Sequence, residues 1–276
     1  MDWVTVSTIA MRDARAGLRN RSFLLYAAMF LILSVAFSWV ALAGSDLTGQ
    51  AGFGRTSAGL LNLMLLMVPL IGLTIGAQAI VGDRQDRSLD YLLAQPVSPL
   101  EVYAGKYLGA ASALVLMLVF GFGWSGVVMA LRGSAGRTSD FLLLTVLTIL
   151  LGLAMLSVGF LISSFSPQTS AALGIAVSLW LGLVILGDLG LMGSSLVMGL
   201  RPDTLLALTL ANPLDTYKLL NVELLHTSLE VLGPAGMYAT DRFGAGLAPL
   251  LMSMVAVWVV LPLPLGFWLF RRMNLR

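Results

Sequence analysis

The 276-residue sequence contains no cysteine and only one histidine. Without cysteine the chain has no disulfide, no thiolate metal site and no cysteine nucleophile. The single histidine, His226, has no HExxH or comparable arrangement around it, and a lone histidine is more often an ordinary surface or core residue than a metal ligand. The sequence therefore indicates neither an enzyme nor a bound metal or cofactor.

Charge is also scarce, because only 11% of the residues are charged while 58% are hydrophobic. This balance lies outside that of soluble globular domains. The net charge of +2 is too small to suggest nucleic-acid binding, and the basic residues lie beside apolar runs rather than in one patch. We expect membrane lipid, and not nucleic acid, around this chain.

Six long apolar runs meet the requirement for a transmembrane helix, which is about 20 consecutive residues that avoid charge. The runs are continuously apolar rather than alternating, which excludes the strands of a β-barrel. The sequence predicts an all-α integral membrane protein with a single transmembrane domain over residues 1–276. The predicted spans are residues 22–43, 58–81, 107–131, 141–163, 171–187 and 247–270.

Lysine and arginine are distributed unevenly between the two sides that six spans define. Ten lie on the side of the termini and six on the other, so the positive-inside rule predicts that both termini are cytoplasmic. The first group is Arg12, Arg15, Arg19, Arg21, Arg84, Arg87, Lys106, Arg271, Arg272 and Arg276, and the second is Arg55, Arg132, Arg137, Arg201, Lys218 and Arg242.

Residues 1–21 predict an amphipathic helix on the membrane surface, because apolar and polar side chains recur at helical spacing on different faces. The alternative is a topology signal without a surface helix. The apolar face holds Trp3, Val6, Ala10, Ala14 and Leu18, and the polar face holds Thr5, Thr8, Arg12, Arg15 and Arg19.

Residues 82–105, here named the charged loop, hold the densest cluster of charge in the chain. Leu89, Leu92 and Leu93 indicate a short amphipathic helix that Pro96 ends. A capping box then starts the next helix, with its serine at the N-cap, proline at the first position and glutamate at the third. The charged cluster is Asp83, Arg84, Asp86, Arg87 and Asp90, and the capping box is Ser98, Pro99 and Glu101.

The predicted spans carry no ionisable residue except at their ends. Proton-coupled carriers use such residues inside the membrane, so the driving force of a transporter of this kind comes from elsewhere. The pair Gly105–Lys106 is followed by tyrosine and lacks the upstream glycine of a phosphate-binding loop. We therefore expect any ATP hydrolysis to take place on another chain.

Glycines one turn apart predict close helix contacts, within or between subunits, at Gly72 with Gly76 and at Gly105 with Gly109. Methionine is frequent, with 14 residues. Packing between helices is its ordinary role, and a path for Cu(I) along thioether sulfurs is the alternative. The methionines in or near spans are Met64, Met67, Met117, Met129, Met155, Met192 and Met198.

The largest soluble segment, residues 188–246, is too small for an independent domain. We interpret it as a partly helical periplasmic cap before the last span, which offers a docking surface to an external partner. The residues expected at this surface are Asn212, Pro213, Asp215 and Tyr217.

The stretch GDRQDRSLDYLLAQPVSPLEVYAGKYLG resembles the corresponding loop of the type-2 export-permease family of ABC transporters. The resemblance implies a coupling helix that docks on a cytoplasmic ATPase, where ATP and Mg²⁺ are bound. We expect Leu89, Leu92 and Leu93 to enter a groove on that ATPase, or, alternatively, to rest on the bilayer or on neighbouring spans. The expected coupling residues are Arg87, Ser88, Leu89, Asp90, Tyr91, Leu92 and Leu93.

Further stretches resemble the permeases of this family that serve the maturation of the copper centres of nitrous oxide reductase. The resemblance implies a homodimer in the bacterial inner membrane, two ATPase copies and a periplasmic accessory protein, which together export a sulfur or copper-related species or move the accessory protein. A permease that exports another small molecule or a lipid, and a self-contained channel or secondary carrier, remain alternatives. The stretches are RNRSFLLYA, LLNLMLLMVPLIGLTIGAQAI, GFGWSG, DLGLMG and ANPLDTYKLLN.

Overall fold

The computed structural model describes residues 2–48, 50–131, 138–197, 202–224 and 242–274. These residues are helical almost throughout and contain no strand, which confirms the predicted all-α class. The helices are α1 (Trp3–Arg19), α2 (Arg21–Thr48), α3 (Gln50–Ala79), α4 (Val81–Gln85), α5 (Ser88–Leu93), α6 (Pro99–Leu131), α7 (Thr138–Phe165), α8 (Thr169–Val197), α9 (Pro202–Ala211), α10 (Pro213–Leu224), α11 (Leu247–Val260) and α12 (Pro262–Asn274).

Five helical segments of the described chain are long and apolar enough to cross a membrane. The count rises to six when α1 and the first part of α2, which meet at a 70° bend, are taken as one broken span. The first predicted span lies inside α2, and the last is divided between α11 and α12 at Pro262. Proline interrupts the helix there because it has no N–H to donate.

Helix α7 lies at the centre of the bundle, in contact with α3, α6, α8, α10, α11 and α12. Its closest approach is to α3. A Cβ atom added to Gly72 would lie 2.7 Å from the carbonyl oxygen of Gly152, and one added to Gly76 would lie 2.5 Å from that of Leu156. The predicted contact at Gly72 and Gly76 is therefore confirmed, and it forms within the chain.

The second predicted glycine pair brings α1 onto α6. A Cβ atom on Gly105 would lie 2.8 Å from the side chain of Ile9, and one on Gly109 would lie 2.7 Å from the carbonyl oxygen of Ala10. Val6 and Ile9 are buried in this contact, whereas Trp3 is 70% exposed. The helix predicted in residues 1–21 is thus present as α1, with part of its apolar face on α6, and its place on the membrane surface stays a prediction.

Three of the methionines singled out in the sequence, Met64, Met117 and Met155, are buried among aliphatic and aromatic side chains. Their surroundings match the packing role of methionine. The side chains of Met129, Met192 and Met198, and the whole of His226, lie outside the described part of the chain.

Candidate coupling site

The charged loop contains two short helices, α4 and α5, and the second is the helix predicted at its leucines. The two helices are joined through Arg87, which has a φ of 58° in the left-handed region. This conformation costs a non-glycine residue roughly 1–2 kcal/mol. The turn therefore depends on the contacts that hold α4 and α5 in place.

The break between α3 and α4 is closed by a side chain of α7. The hydroxyl oxygen of Ser163 accepts hydrogen bonds from the backbone N–H groups of Ile80, at 3.0 Å, and Val81, at 2.9 Å. Ser163 and both of these residues are fully buried. Buried N–H groups without a partner are costly, so Ser163 fixes the point at which the chain leaves the bundle.

Three consecutive residues of α4 each contact a different helix. Their partners are a side chain of α6, a backbone carbonyl of α7 and a backbone N–H of α8. The contacts are Asp83 Oδ2 with Lys106 Nζ at 2.5 Å, Arg84 Nη2 with the carbonyl oxygen of Ser163 at 3.1 Å, and Gln85 Oε1 with the backbone N–H of Thr169 at 3.2 Å. Helix α4 is therefore a junction between three long helices.

Lys106 extends this junction to α1. Its Nζ atom lies 2.7 Å from Oδ2 of Asp13 and 2.5 Å from Oδ2 of Asp83, and its side chain is only 4% exposed. A buried ammonium requires partners of opposite charge, and the two carboxylates supply them. Arg12 Nε, at 3.2 Å from Asp13 Oδ1, offsets the second negative charge. Gly105 allows α1 to pack closely on α6, and Lys106 binds α1 through Asp13.

The capping box predicted at the start of α6 is confirmed, and it also binds α1. The N–H of Ser98 donates to Oε2 of Glu101 at 2.9 Å, and the N–H of Glu101 donates to the serine hydroxyl at 3.3 Å. The other carboxylate oxygen of Glu101 accepts from the N–H of Asp2 at 2.7 Å. Helix α1 is thus linked to α6 at its N-terminus, through Asp2, as well as at Asp13.

The leucines of α5 take the second of the two orientations expected for them, because they pack on neighbouring helices of the chain and do not face outward. Leu89 is fully buried and Leu92 is 5% exposed, both in the core of this chain, and the partly buried Leu93 packs against that core. The apolar stripe of so short a helix turns toward the nearest apolar surface, which is the chain's own helices. The opposite face presents Asp90 and Tyr91, and Tyr91 is 74% exposed.

A family model described as ABC-2 family transporter protein matches residues 7–275. The chain belongs to this family. The permease is 31% identical over 280 residues to a protein of Pseudomonas aeruginosa named probable ABC transporter permease protein NosY, with 97% of this chain and 98% of that protein covered. It is 30% identical over 277 residues to the Stutzerimonas stutzeri protein of the same name, with the same coverage.

The permease does not expose the four residues expected to dock an external partner. Asn212, Pro213, Asp215 and Tyr217 are all buried, because α10 lies among α7, α8, α9 and α11. The hydroxyl of Tyr217 is 2.7 Å from that of Thr148 on α7. These side chains therefore hold α10 inside the bundle, and their expected role as a docking surface is corrected.

The stretch around Asn212 is a helix start whose signals are readable in the sequence. The side-chain oxygen of Asn212 accepts from the N–H of Leu214 at 3.0 Å, with proline at the first helical position between them. The amide nitrogen of Asn212 donates to Asp215 Oδ2 at 2.8 Å and to the carbonyl oxygen of Leu183 on α8 at 2.9 Å.

The sequence did not predict the roles of Asp13 and Ser163, since their partners lie about eighty or more positions away.

Proposed function

We propose that the permease is moved by a separate cytoplasmic ABC ATPase that docks on the exposed face of α4 and α5. The observation that carries this proposal is the junction at α4, which is bound to α6, α7 and α8 on one side and open on the other. The docking residues are then Asp86, Arg87, Asp90 and Tyr91, all of them exposed. Two ATPase copies, with ATP and Mg²⁺, serve a homodimer of the permease.

The contacts of α4 provide a route for motion from the ATPase into the membrane. A displacement of α4 acts on the ends of α6, α7 and α8 directly, and on α1 through Lys106 and Asp13. Hydrogen bonds and an ion pair of this length do not stretch by more than a fraction of an ångström without breaking. The helices therefore move together with the loop.

The topology in this proposal is the one that the charge distribution predicts, with both termini and the charged loop in the cytoplasm and the chain in the bacterial inner membrane. The charged loop, the amphipathic α1 and the C-terminal end of α12 then share one side. Basic residues of α1 and α12, including Arg15 and Arg271, are exposed where anionic lipid headgroups would meet them.

We further propose that the complex takes part in assembling the copper centres of nitrous oxide reductase. The likeness to the two NosY proteins, which extends over nearly the whole of each chain, supports this proposal. ATP hydrolysis would drive export of a sulfur or copper-related species, or motion of a periplasmic accessory protein. Because α10 is buried, such a protein would contact surfaces other than those around Asn212 and Tyr217.

Complementation tests this function. In Pseudomonas aeruginosa without its own NosY, the permease produced together with its ATPase and accessory protein should restore copper to nitrous oxide reductase. A Tyr91→Asp variant that inserts normally should fail to do so. Restoration by the partners without the permease would contradict the proposal, and ATPase-independent flux through the purified permease would indicate a channel or secondary carrier.

A further inference from the structure

A cavity of about 260 Å³ lies in the elbow between α1 and α2, and α3 and α6 complete its walls. This volume is far above the about 30 Å³ that one water molecule occupies in the liquid. It is slightly below the about 300 Å³ at which pockets for drug-sized ligands begin. The cavity therefore suits a small polar group rather than a whole lipid or a large substrate.

The walls of the cavity change character from one end to the other. Arg12, Asp13, Asp83 and Lys106 contribute two positive and two negative charges near the end of the bundle. Phe23, Ile75, Ala79, Ala110 and Ala113 contribute apolar surface along α2, α3 and α6. A charged end that continues into an apolar wall, beside an amphipathic helix, is the surrounding that a lipid headgroup and the start of its acyl chains require.

The charged end favours a zwitterionic headgroup. Its two cations and two anions sum to zero, so it does not attract an anionic headgroup by net charge. The side chain of Asp83 is 29% exposed although one of its oxygens lies at Lys106. Gln78 also lies in the wall, and its side-chain N–H donates a hydrogen bond to the carbonyl oxygen of Thr74 at 3.1 Å. The side-chain oxygen of Gln78 is then the acceptor that the cavity offers.

We propose that this cavity binds the headgroup of phosphatidylethanolamine. The primary ammonium donates hydrogen bonds to Asp83 and Gln78, and the phosphate lies toward the half-exposed Arg12. The quaternary ammonium of phosphatidylcholine has no N–H to donate to these acceptors, and phosphatidylglycerol has no positive charge for Asp83. Primary-amine lipids are therefore selected. The inference rests on the proposed function only in assigning the lipid to the cytoplasmic leaflet.

The bound lipid would strengthen the junction at α4, because Asp83 belongs both to the cavity wall and to the pair with Lys106. It would also fill the space that separates α1 from α3. The lipid and the ion pair together then fix the angle of the elbow beside the charged loop.

The test measures lipids retained by the permease purified in mild detergent from membranes that contain both phosphatidylethanolamine and phosphatidylglycerol. Native mass spectrometry should show phosphatidylethanolamine enriched over its share of the membrane lipids. Ala110→Phe fills the cavity without altering a charge. In this variant the fraction of phosphatidylethanolamine among the retained lipids should fall to its share of the membrane lipids. Ala104→Phe is the matched control, since Ala104 is a partly buried alanine of the same helix outside the cavity wall, and it should keep the enrichment.

Equal retention by the Ala110→Phe and unmodified permease would overturn the proposal, as would enrichment of phosphatidylglycerol. Asp83→Asn provides a second variant, whose expected result is a loss of selectivity between phosphatidylethanolamine and phosphatidylcholine in vesicles made with either lipid. The measurement needs only the permease. Failure of an ATPase to bind would therefore not be mistaken for failure of the lipid site.

Discussion

The ammonium group of Lys106 lies 2.5 Å from the carboxylate of Asp83, across the boundary between α6 and the charged loop. The same ammonium lies 2.7 Å from Asp13, so one buried cation connects α1, α4 and α6. Buried ion pairs contribute little when replaced by matched apolar groups, but removing one partner leaves the other uncompensated. Lys106 is therefore the residue whose removal most directly separates α1 from the loop.

Lys106→Met should lower the thermal stability of the purified permease. The substitution leaves two carboxylates facing each other, and a broken buried pair costs about 3–5 kcal/mol, with the lower end expected here because Asp83 is partly exposed. Arg15→Met, at an exposed position of α1, is the control and should melt like the unmodified protein. The double variant Asp13→Asn with Lys106→Met should recover part of the lost stability. If Lys106→Met were as stable as Arg15→Met, the pairing of Lys106 with Asp13 and Asp83 would be refuted.

Ser163→Ala should destabilise the junction between α3 and α4. The variant removes the acceptor of two buried N–H groups, those of Ile80 and Val81, and an unsatisfied buried donor costs about 1–3 kcal/mol. Ser253→Ala removes an exposed hydroxyl from α11 and should have little effect. Hydrogen exchange at residues 80–85 should become faster in the first variant alone. Unchanged exchange there would show that Ser163 does not hold the loop.

Gly76→Ala should be strongly unfavourable, although alanine is the better helix former. Its Cβ atom would lie 2.5 Å from the carbonyl oxygen of Leu156, so α3 and α7 would have to separate. Such overpacking typically costs about 1–3 kcal/mol. Gly174→Ala, in α8 with open space around the new atom, should instead gain up to about 1 kcal/mol. If Gly76→Ala and Gly174→Ala shifted the melting temperature in the same direction, the close contact between α3 and α7 at Gly76 would be contradicted.

Local rules explain which features of the fold were predictable from the sequence. The capping box at Ser98 and the glycine pair at Gly72 and Gly76 depend on residues a few positions apart, and both are present in the structure. The contacts of α4 depend on pairs such as Arg84 with Ser163, which are 79 positions apart and have no periodic signal. Long-range partners follow from the arrangement of whole helices, which a single sequence does not specify.

The two corrected sites share one physical cause. Periodicity shows that Leu89 and Leu92 lie on one face of a helix, but it does not show whether that face meets a partner or the chain itself. Likewise, the polar side chains at the start of α10 suggested an exposed surface, whereas Asn212 and Tyr217 find hydrogen-bond partners inside the bundle. A polar residue can be buried when its bonding groups are satisfied there.

The position of Tyr91 gives the sharpest test of the proposed coupling. Tyr91→Ala should weaken the complex with the ATPase by about 2 kcal/mol or more, since exposed aromatic residues at the centre of an interface are frequent hot spots. The permease alone should keep its melting temperature, because the side chain is 74% exposed.

Leu89→Ala is the matched variant on the buried face of the same helix, and it should lower the melting temperature, as truncation of a buried leucine costs about 2–5 kcal/mol. Copurification of the ATPase with each variant, followed by thermal melts of the permease alone, separates the two effects. If Tyr91→Ala retained the ATPase and its ATP hydrolysis at the unmodified level, the exposed face of α5 would not be the docking surface.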